Sequence, residues 1–510
     1  MKNRTFVKNL HHRQNKPLLG DVIPSFPARN KFYRLFRTFA IPDGSSRFRL
    51  LTFVLLAAVT FATAGNKEIK KTIPLNDVRT VELIGFNGSS IAVKSWEKNE
   101  ISINISVEYS SSNKDKEKLF FQYLDIVQEQ IGEKMLLRFK EPTINNEDFS
   151  LKEFLSSLFS TTYSHLTISG DIFIPAAMNL SSDMRYGTHS IEGMKGTLRL
   201  SGVSNTVEVK NCADVQKIEN DYGTTTVDHS GGDLQLRGES SNIQINDFSG
   251  SVKADVNYSD CKFNGIADAV TVVCSSGTVD IGDIGGNITL NVSYSTVSAS
   301  NVKGSAVIES QSGTIRVKNT SGVSITAPYS NITIETVNGS GNPVYIQNAS
   351  GHVEISNVTR DVTIEDSYSQ LTARNIQGNV ILNGTGSTFS GKKITGNITM
   401  ENEYGDIRVS DLSASAVRIV NKNNSVNIEM LTKPAAIDII NEYGPVTVSF
   451  PEFTGDVRLK ASYASIKTNL PIEVEEIGGG SIAIGKIGTG SSTMTIKTIS
   501  GNIEVRQITQ

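Results

Sequence analysis

Two consecutive stretches of the chain carry the pattern that decides the fold. Residues 276–293 read SGTVDIGDIGGNITLNVS, and residues 294–311 read YSTVSASNVKGSAVIESQ. In the first stretch Val279 and Ile281 alternate with polar residues, the pair Gly286-Asn287 follows, and the alternation then resumes. Alternation with a period of two predicts a strand with one buried face. Each stretch therefore predicts two short strands joined by a turn.

The first residue of each unit, which we call the marker, recurs along most of the chain. The interval between markers is 18 residues from position 186 to position 312 and 17 to 21 residues from there to 463, with weaker copies near 479 and 500. Tyrosine alternates with a small residue at this position, so that the true repeat is a double unit. The alternating markers are Tyr186, Ser204, Tyr222, Ser240, Tyr258, Ser276, Tyr294, Ser312, Tyr329, Ser350, Tyr368, Gly386, Tyr404, Asn423 and Tyr443.

A unit of 18 residues cannot bury an apolar face alone, whereas units stacked along one axis bury it continuously. The sequence therefore predicts an all-β chain, a parallel β-solenoid (β-helix) of about 18-residue rungs. With rungs roughly 4.8 Å apart, about eighteen rungs would extend roughly 80 Å. The 13 prolines in 510 residues fit this fold, because buried ladders need their N–H donors. Tyrosine over a small residue avoids crowding between rungs.

Residues 66–185 follow a different pattern, which predicts a small α+β region that caps the solenoid. Ile91-Ala92-Val93 resembles an early rung, and residues 101–108 and 135–139 predict strands. Helical spacing of apolar residues predicts one helix over Lys114–Ile131, stopped by Gly132, and a second over Ser150–Phe159. Such helices would cover an open sheet edge or, alternatively, dock a partner. The predicted domains are residues 1–64, 65–180 and 181–510.

The N-terminus has the layout of an export signal. Arg47 and Arg49 precede an apolar run to Phe61, and Ala62-Thr63-Ala64 has the small residues of a cleavage site. We expect cleavage after Ala64 and a mature chain with no transmembrane domain, located in the periplasm, on the outer surface or in the medium. An uncleaved anchor is the alternative.

The charge of the chain is unevenly distributed. Residues 1–49 contain eleven Lys and Arg against two acidic residues, although the whole chain has a net charge of −3. The remaining, acidic body argues against nucleic acid as a partner. Because Cys212, Cys261 and Cys274 are few and odd in number, they exclude a disulfide framework. Cys261 and Cys274, on neighbouring rungs, are expected to be buried free thiols rather than a disulfide.

The sequence offers only weak candidates for a catalytic or metal-binding site. His165, His189, His229 and His352 form no metal-ligand pair, and His189 is expected to be a satisfied core or end-cap histidine. Gly478-Gly479-Gly480 precedes no helix and so does not predict a phosphate cradle. The acids near the markers suggest solvated charge in preference to a calcium column. These acids are Asp221, Glu365, Asp366, Glu403 and Glu442. No cofactor, metal or catalytic residue is predicted.

The chain resembles a bacterial family of putative-adhesin β-solenoid domains that have no assigned biochemical activity. The resemblance covers roughly residues 75–510 and rests on Phe173-Ile174-Pro175 followed by recurrent Ser-Gly-x-Val/Ile and Tyr-Gly-x-Val/Ile units. It implies the solenoid fold, and through the family name it implies surface adhesion. It supplies no catalytic residues.

The tyrosine markers are the strongest candidates for function. If their rings are exposed, they form a recognition stripe suited to glycans or proteins; if they are buried, they close the corner of the rung. We expect a non-enzymatic adhesin or structural surface module whose partner is an unidentified glycan or surface protein. The alternatives are an envelope scaffold or signalling partner that docks a protein through residues 112–160, and a polysaccharide-active β-helix enzyme. The candidate residues are Tyr186, Tyr222, Tyr258, Tyr294, Tyr329, Tyr368, Tyr404 and Tyr443.

Overall fold

The computed structural model describes residues 65–112, 114–140 and 164–508. The predicted signal peptide, the cleavage expected after Ala64 and the second predicted helix lie outside the described residues. The N-terminal elements are β1 (Gly65–Pro74), β2 (Thr80–Ile84), β3 (Ser89–Trp96), β4 (Glu100–Ser111), α1 (Lys114–Tyr123), β5 (Asp125–Ile131), β6 (Lys134–Lys140) and β7 (Ser164–Pro175).

The repetitive part of the chain consists of short strands separated by turns. The first of these are β8 (Asn179–Arg185), β9 (Thr188–Glu192), β10 (Thr197–Val203), β11 (Thr206–Lys210), β12 (Asp214–Asp221), β13 (Thr224–Asp228), β14 (Gly231–Glu239), β15 (Asn242–Asn257), β16 (Ser259–Ile266), β17 (Val270–Cys274), β18 (Gly277–Ile284), β19 (Ile288–Val292), β20 (Ser295–Glu309) and β21 (Ser312–Thr326). The next are β22 (Tyr329–Val337), β23 (Val344–Gln347), β24 (Ser350–Val358), β25 (Val362–Asp366), β26 (Tyr368–Ile376), β27 (Val380–Gly384), β28 (Thr388–Ile394), β29 (Ile398–Tyr404), β30 (Ile407–Leu412), β31 (Ala416–Asn423), β32 (Val426–Met430), β33 (Ala436–Tyr443) and β34 (Val446–Phe450). The C-terminal strands are β35 (Gly455–Ala461), β36 (Ile466–Thr468), β37 (Glu475–Ile477), β38 (Gly480–Ile487), β39 (Ser492–Thr498) and β40 (Ile503–Gln507).

Each rung contributes a segment to each of two parallel sheets, and the long strands β15, β20 and β21 continue through both. The upstream sheet contains the strands that lead into a marker, such as β17 and β19, which pair in parallel from Val270↔Ile288 to Cys274↔Val292. The downstream sheet contains the strands that leave a marker, such as β16 and β18. The predicted parallel β-solenoid is confirmed, and a typical rung pairs with the rung 18 residues away.

The core lies between the two sheets and runs the length of the solenoid. Inward-facing residues such as Val279, Ile281, Ile288 and Leu290 are at most 1% exposed, as their alternation predicts. Polar residues take the outward positions of the same strands. Burying an aliphatic side chain stabilises the fold by about 1.5–3 kcal/mol, so that stacked rungs stabilise one another where a single rung could not.

The N-terminal end is closed mainly by antiparallel strands. β4 pairs antiparallel with β7 and with β1, while β5 pairs antiparallel with β6. The predicted helix is shorter than expected, since α1 ends at Tyr123 and residues 125–131 form β5. Gly132, which has a φ of +58°, turns the chain between β5 and β6. The early rung predicted at Ile91-Ala92-Val93 is confirmed as part of β3, which pairs with β9.

The C-terminal end departs from the sequential order of rungs. β39 pairs in parallel with β33 on one side and with β35 on the other, and β40 lies between β34 and β36 in the same way. The rung formed last in the sequence therefore occupies the space between two earlier ones; we call it the interposed rung. β38 then pairs antiparallel with β35, and Gly478 and Gly479, both at positive φ, make the hairpin turn from β37. The copy expected near 479 is thus a hairpin and not a rung.

Candidate binding surface

The tyrosine markers form one exposed line along the corner between the two sheets. Strand register places Tyr294 beside Ser312 and Ser312 beside Tyr329, and the same register continues through Ser350 to Tyr368. Each ring is thus two rungs from the next. The exposed fractions are 57% for Tyr186, 57% for Tyr222, 65% for Tyr258, 66% for Tyr294, 66% for Tyr329, 67% for Tyr368, 52% for Tyr404 and 54% for Tyr443.

A ninth tyrosine, which the sequence reading left out of the stripe, extends this line. Tyr463 is 72% exposed, and in sequence it follows Tyr443 without a small marker between them. In space the interposed rung lies between the two, because Asn441 pairs with Thr498 and Thr498 pairs with Ala461. Continuing that register two residues places Ser500 between the rings. We call these nine residues the tyrosine row.

The ring of Tyr368 extends over Gly386, the small marker of the neighbouring rung. A Cβ atom placed on Gly386 would lie 2.5 Å from Cδ1 of Tyr368. None of the ring contacts in the described part of the chain joins two residues of the row. At this rung the small marker therefore provides the space into which the ring extends.

The backbone of the corner does not require tyrosine. Tyr186, Tyr222, Tyr258 and Tyr294 have φ between 53° and 62°, in the left-handed region. Glycine and asparagine adopt this conformation most readily, whereas a bulky residue there costs on the order of 1 kcal/mol. Tyrosine occupies these positions despite its backbone cost, which favours a role for the ring in solvent over a role in the turn.

Buried amides, and not the tyrosine hydroxyls, hold the corner together. Asn402 donates to Asn421 Oδ1 at 3.3 Å, and Asn421 donates to Asn441 Oδ1 at 3.1 Å, two residues before their markers. Asn441 Nδ2 also donates to the carbonyl of Gly444 at 2.9 Å. Within the described residues, no hydroxyl of the tyrosine row bonds to a protein group. The hydroxyls are therefore available to a ligand.

A second line of hydroxyl groups runs beside the row, two residues after the markers. Thr206 pairs with Thr188 and with Thr224 in register, so that the line follows the same axis. A polar cup of about 440 Å³ opens between Tyr222 and Tyr258 and is lined in part by these groups. The threonines of this line are Thr188, Thr206, Thr224, Thr278, Thr296, Thr314 and Thr388.

Carboxylates outnumber cations beside the row. The positions directly before the markers and two residues after them contain six acids and two basic residues in the repeats from 186 to 443, and one of the latter, Lys422, bonds to Glu403. The acids are Asp221, Glu239, Asp260, Glu403, Asp406 and Glu442, and the other basic residue is Arg185. The surface therefore presents hydroxyls, aromatic faces and a modest negative charge.

A second groove, of about 760 Å³, lies at the opposite corner of the rungs. It follows residues at positive φ, and their amides form a ladder in which Asn319 donates to Asn301 at 3.0 Å and Asn301 donates to Asp283 at 2.9 Å. Because Asn and Asp tolerate the left-handed conformation, these residues are explained by the backbone of the turn.

The histidines and acids singled out in the sequence do not converge. His229 lies 3.4 Å from Asp247 on the surface. Among the described residues, no group of three or more His, Cys, Asp or Glu side chains could hold a metal ion. Asp366, which is 5% exposed, accepts hydrogen bonds from Ser369 and Ser387 within the corner network.

His189 is buried, but it is not the satisfied core histidine that the sequence suggested. It is 3% exposed in β9, and its Nε2 has no hydrogen-bond partner within the described residues. Burial lowers the pKa of His189 to about 4. The imidazole is therefore neutral at pH 7, and a proton added to it would be poorly accommodated in the core.

The cysteines follow the prediction. Cys212, Cys261 and Cys274 are buried and unpaired with one another. Burial raises the pKa of the Cys261 thiol to about 12, which keeps it protonated and inert. In the part of the chain that the structure describes, no helix is long and apolar enough to cross a membrane.

Comparisons with known proteins agree with the fold. The family model described as Toastrack DUF4097 matches residues 323–506. Over these residues the match confirms the resemblance to the bacterial putative-adhesin β-solenoid family. A crystal structure of a putative cell adhesion protein from Clostridium sporogenes ATCC 15579 is 11% identical, with a TM-score of 0.17 over 87% of this chain and 100% of that one. That similarity is too low to argue from. No curated protein matches the sequence.

Proposed function

We propose that this protein is an exported, non-enzymatic β-solenoid that acts as an adhesive or structural module at the cell surface. The observation that carries the proposal is the tyrosine row, in which nine rings at least 52% exposed repeat along one corner. Tyrosine combines an apolar face with a hydroxyl and suits contact surfaces. Repeated weak contacts along a rigid rod give strong attachment through avidity.

Replacing Tyr294, Tyr329 and Tyr368 together with Ser tests the proposal. We expect the stability to change by no more than about 0.5 kcal/mol per site, as for other surface positions, and binding to arrays of glycans and matrix proteins to fall. The control variant replaces three exposed aliphatic residues outside the row, Val273, Ile381 and Leu431, with Ser. A large loss of stability with binding retained would instead assign the rings to packing, and unchanged binding and stability would reject both roles.

A further inference from the structure

The period of the tyrosine row restricts the shape of a polymer that could bind along it. Neighbouring rungs are about 4.8 Å apart, so that rings on every second rung repeat at about 9.6 Å. The register of the strands keeps this spacing from Tyr186 to Tyr463, including the step across the interposed rung. A polymer that contacts successive rings in the same way must have a repeat close to this distance.

Of the regular polypeptide conformations, polyproline II has the repeat closest to this distance, since even seven residues of an α-helix advance about 10.5 Å and would lose register over several rings. An extended strand presents the same face every two residues, or about 6.7 Å, and an α-helix has a pitch of about 5.4 Å. A polyproline II helix turns once in three residues with a rise of 3.1 Å, which gives a repeat of about 9.3 Å. Proline-rich segments in this conformation bind grooves lined by aromatic residues in several unrelated domains.

The groups beside the row complement such a segment. A polyproline II backbone makes no internal hydrogen bonds, and its carbonyls therefore need outside donors. Among the residues that the structure describes, the tyrosine hydroxyls have no protein partner, and the exposed threonines of the neighbouring line, such as Thr224, Thr278 and Thr296, supply further O–H donors. Four of the six carboxylates have no ion-pair partner among the described residues, against the single unpaired cation Arg185, and this excess favours a ligand that carries positive charge. These four carboxylates are Asp221, Glu239, Asp260 and Glu442.

We propose that the tyrosine row binds a basic, proline-rich polypeptide in the polyproline II conformation, with one proline on each ring and basic residues toward the carboxylates. The inference rests on the proposed adhesive function and names its partner class. Nine rings leave eight intervals, which a segment of about 24 residues would span at three residues per turn.

The test measures binding of the purified protein to synthetic peptides by fluorescence anisotropy. The probe is a (Pro-Pro-Lys) repeat of about 24 residues, and its control is a (Gly-Gly-Lys) repeat of equal length and charge. We expect the proline probe to bind at least about tenfold more tightly than the control, and halving its length to weaken binding at least about tenfold through lost avidity. The triple Tyr→Ser variant should weaken binding by about tenfold or more, and the aliphatic control variant by less than about twofold.

A second variant tests the spacing itself. Ser312→Tyr with Ser350→Tyr adds rings on the intervening rungs, which enlarges the aromatic surface but removes the two-rung period. We expect weaker binding of the proline probe, whereas a surface that is merely adhesive would bind it more tightly, and that result would overturn the proposal. Folding of the variant is checked by its thermal transition, and the triple Ser variant tests the row without added bulk.

The outcomes separate this inference from the function on which it rests. Equal binding of the two probes would show attraction by charge alone and would overturn the inference. Binding of β-linked oligosaccharides at the row, lost in the triple Ser variant, with no binding of the proline probe, would also overturn it but would sustain the adhesive function. Failure of peptides and of every arrayed surface to bind would overturn both.

Discussion

The middle of the solenoid and its C-terminal end both place a large marker next to a small one, but their rungs stack in different orders relative to the sequence. From Tyr186 to Tyr443 the rungs stack in the order of the sequence, and large and small markers alternate along the chain. At the end the sequence presents Tyr443, Tyr463 and Ser500 in turn, but the structure arranges them as Tyr443, Ser500 and Tyr463. The alternation of large and small markers is therefore a property of neighbours in space and not of neighbours in sequence.

Removing the interposed rung should destabilise the C-terminal end more than any other change, while leaving the middle of the solenoid unaffected. A chain that ends at Gly490 lacks β39 and β40, which bury Met494, Ile496, Ile503 and Val505. Each such side chain contributes about 1.5–3 kcal/mol, so that amides of β33 and β35 should lose their protection in hydrogen exchange. Amides of β18 should keep theirs, since stability in stacked repeats is local. Full protection in β35 would mean that β35 can pair directly with β33.

A core substitution in the interposed rung and one in the middle of the solenoid should lower the free energy of unfolding by the same amount. Ile496 in the interposed rung and Ile281 in the middle are both 0% exposed. Replacing either with Ala should destabilise its region by about 2–5 kcal/mol, measured by hydrogen exchange of the flanking strands. A cost below about 1 kcal/mol for Ile496→Ala alone would show that the interposed rung is loosely packed.

Among the regular rungs, the one that contains His189 should lose stability at low pH. Its pKa is lowered from 6.5 to about 4, and because the folded value lies below the unfolded one, the unfolded chain binds the proton first. Stability is therefore complete above about pH 6.5 and falls by about 3 kcal/mol as the pH decreases to 4. His189→Val should remove this decrease in urea titrations at a series of pH values. The exposed-site variant His229→Gln serves as the control and should keep it.

Substitutions at the small markers should have the smallest effect on stability. Ser500→Tyr would place three rings on successive rungs at the C-terminal end, and Ser312→Tyr would do the same in the middle. Each should cost about 1 kcal/mol through crowding, seen as a decrease in the urea midpoint, and Tyr463→Ser should relieve the cost of Ser500→Tyr. If only Ser312→Tyr is destabilising, the spatial alternation at the end has no steric basis.

The fold could be predicted from the sequence because its repeat is local. A strand such as β18 reads as a strand from its own residues, and its neighbours repeat the pattern one rung away. The predicted helix over 114–131 was too long because apolar residues such as Phe120 and Leu124 suit a helix, while Ile126 and the following residues are drawn into a sheet by pairing with β6. β6 in turn pairs with β2, so that this hairpin is held by tertiary structure, which can override local propensity.

The sequence predicts most members of the tyrosine row, but it predicts neither the place of the ninth member in the row nor the exposure of the rings. Eight of its tyrosines follow from spacing and from alternation with small residues. Spacing also puts a marker at Tyr463, but the alternation is broken there in sequence and is restored only by a change in strand order that no local pattern encodes. Exposure of the rings was equally undecided, since a corner residue can face the core or the solvent. The free hydroxyls and the left-handed φ of Tyr222 and Tyr258 became visible in the structure alone.

The interposed rung also determines the order in which the strands at this end of the solenoid can pair. A chain emerges from the ribosome N-terminus first, and the rungs up to β34 can stack in the order in which they appear. β35 and β36 must then wait, because the strands that join them to the solenoid are synthesised after them. They are held in place only once residues 492–507 have emerged, so that this end of the solenoid forms out of the order in which its strands are synthesised.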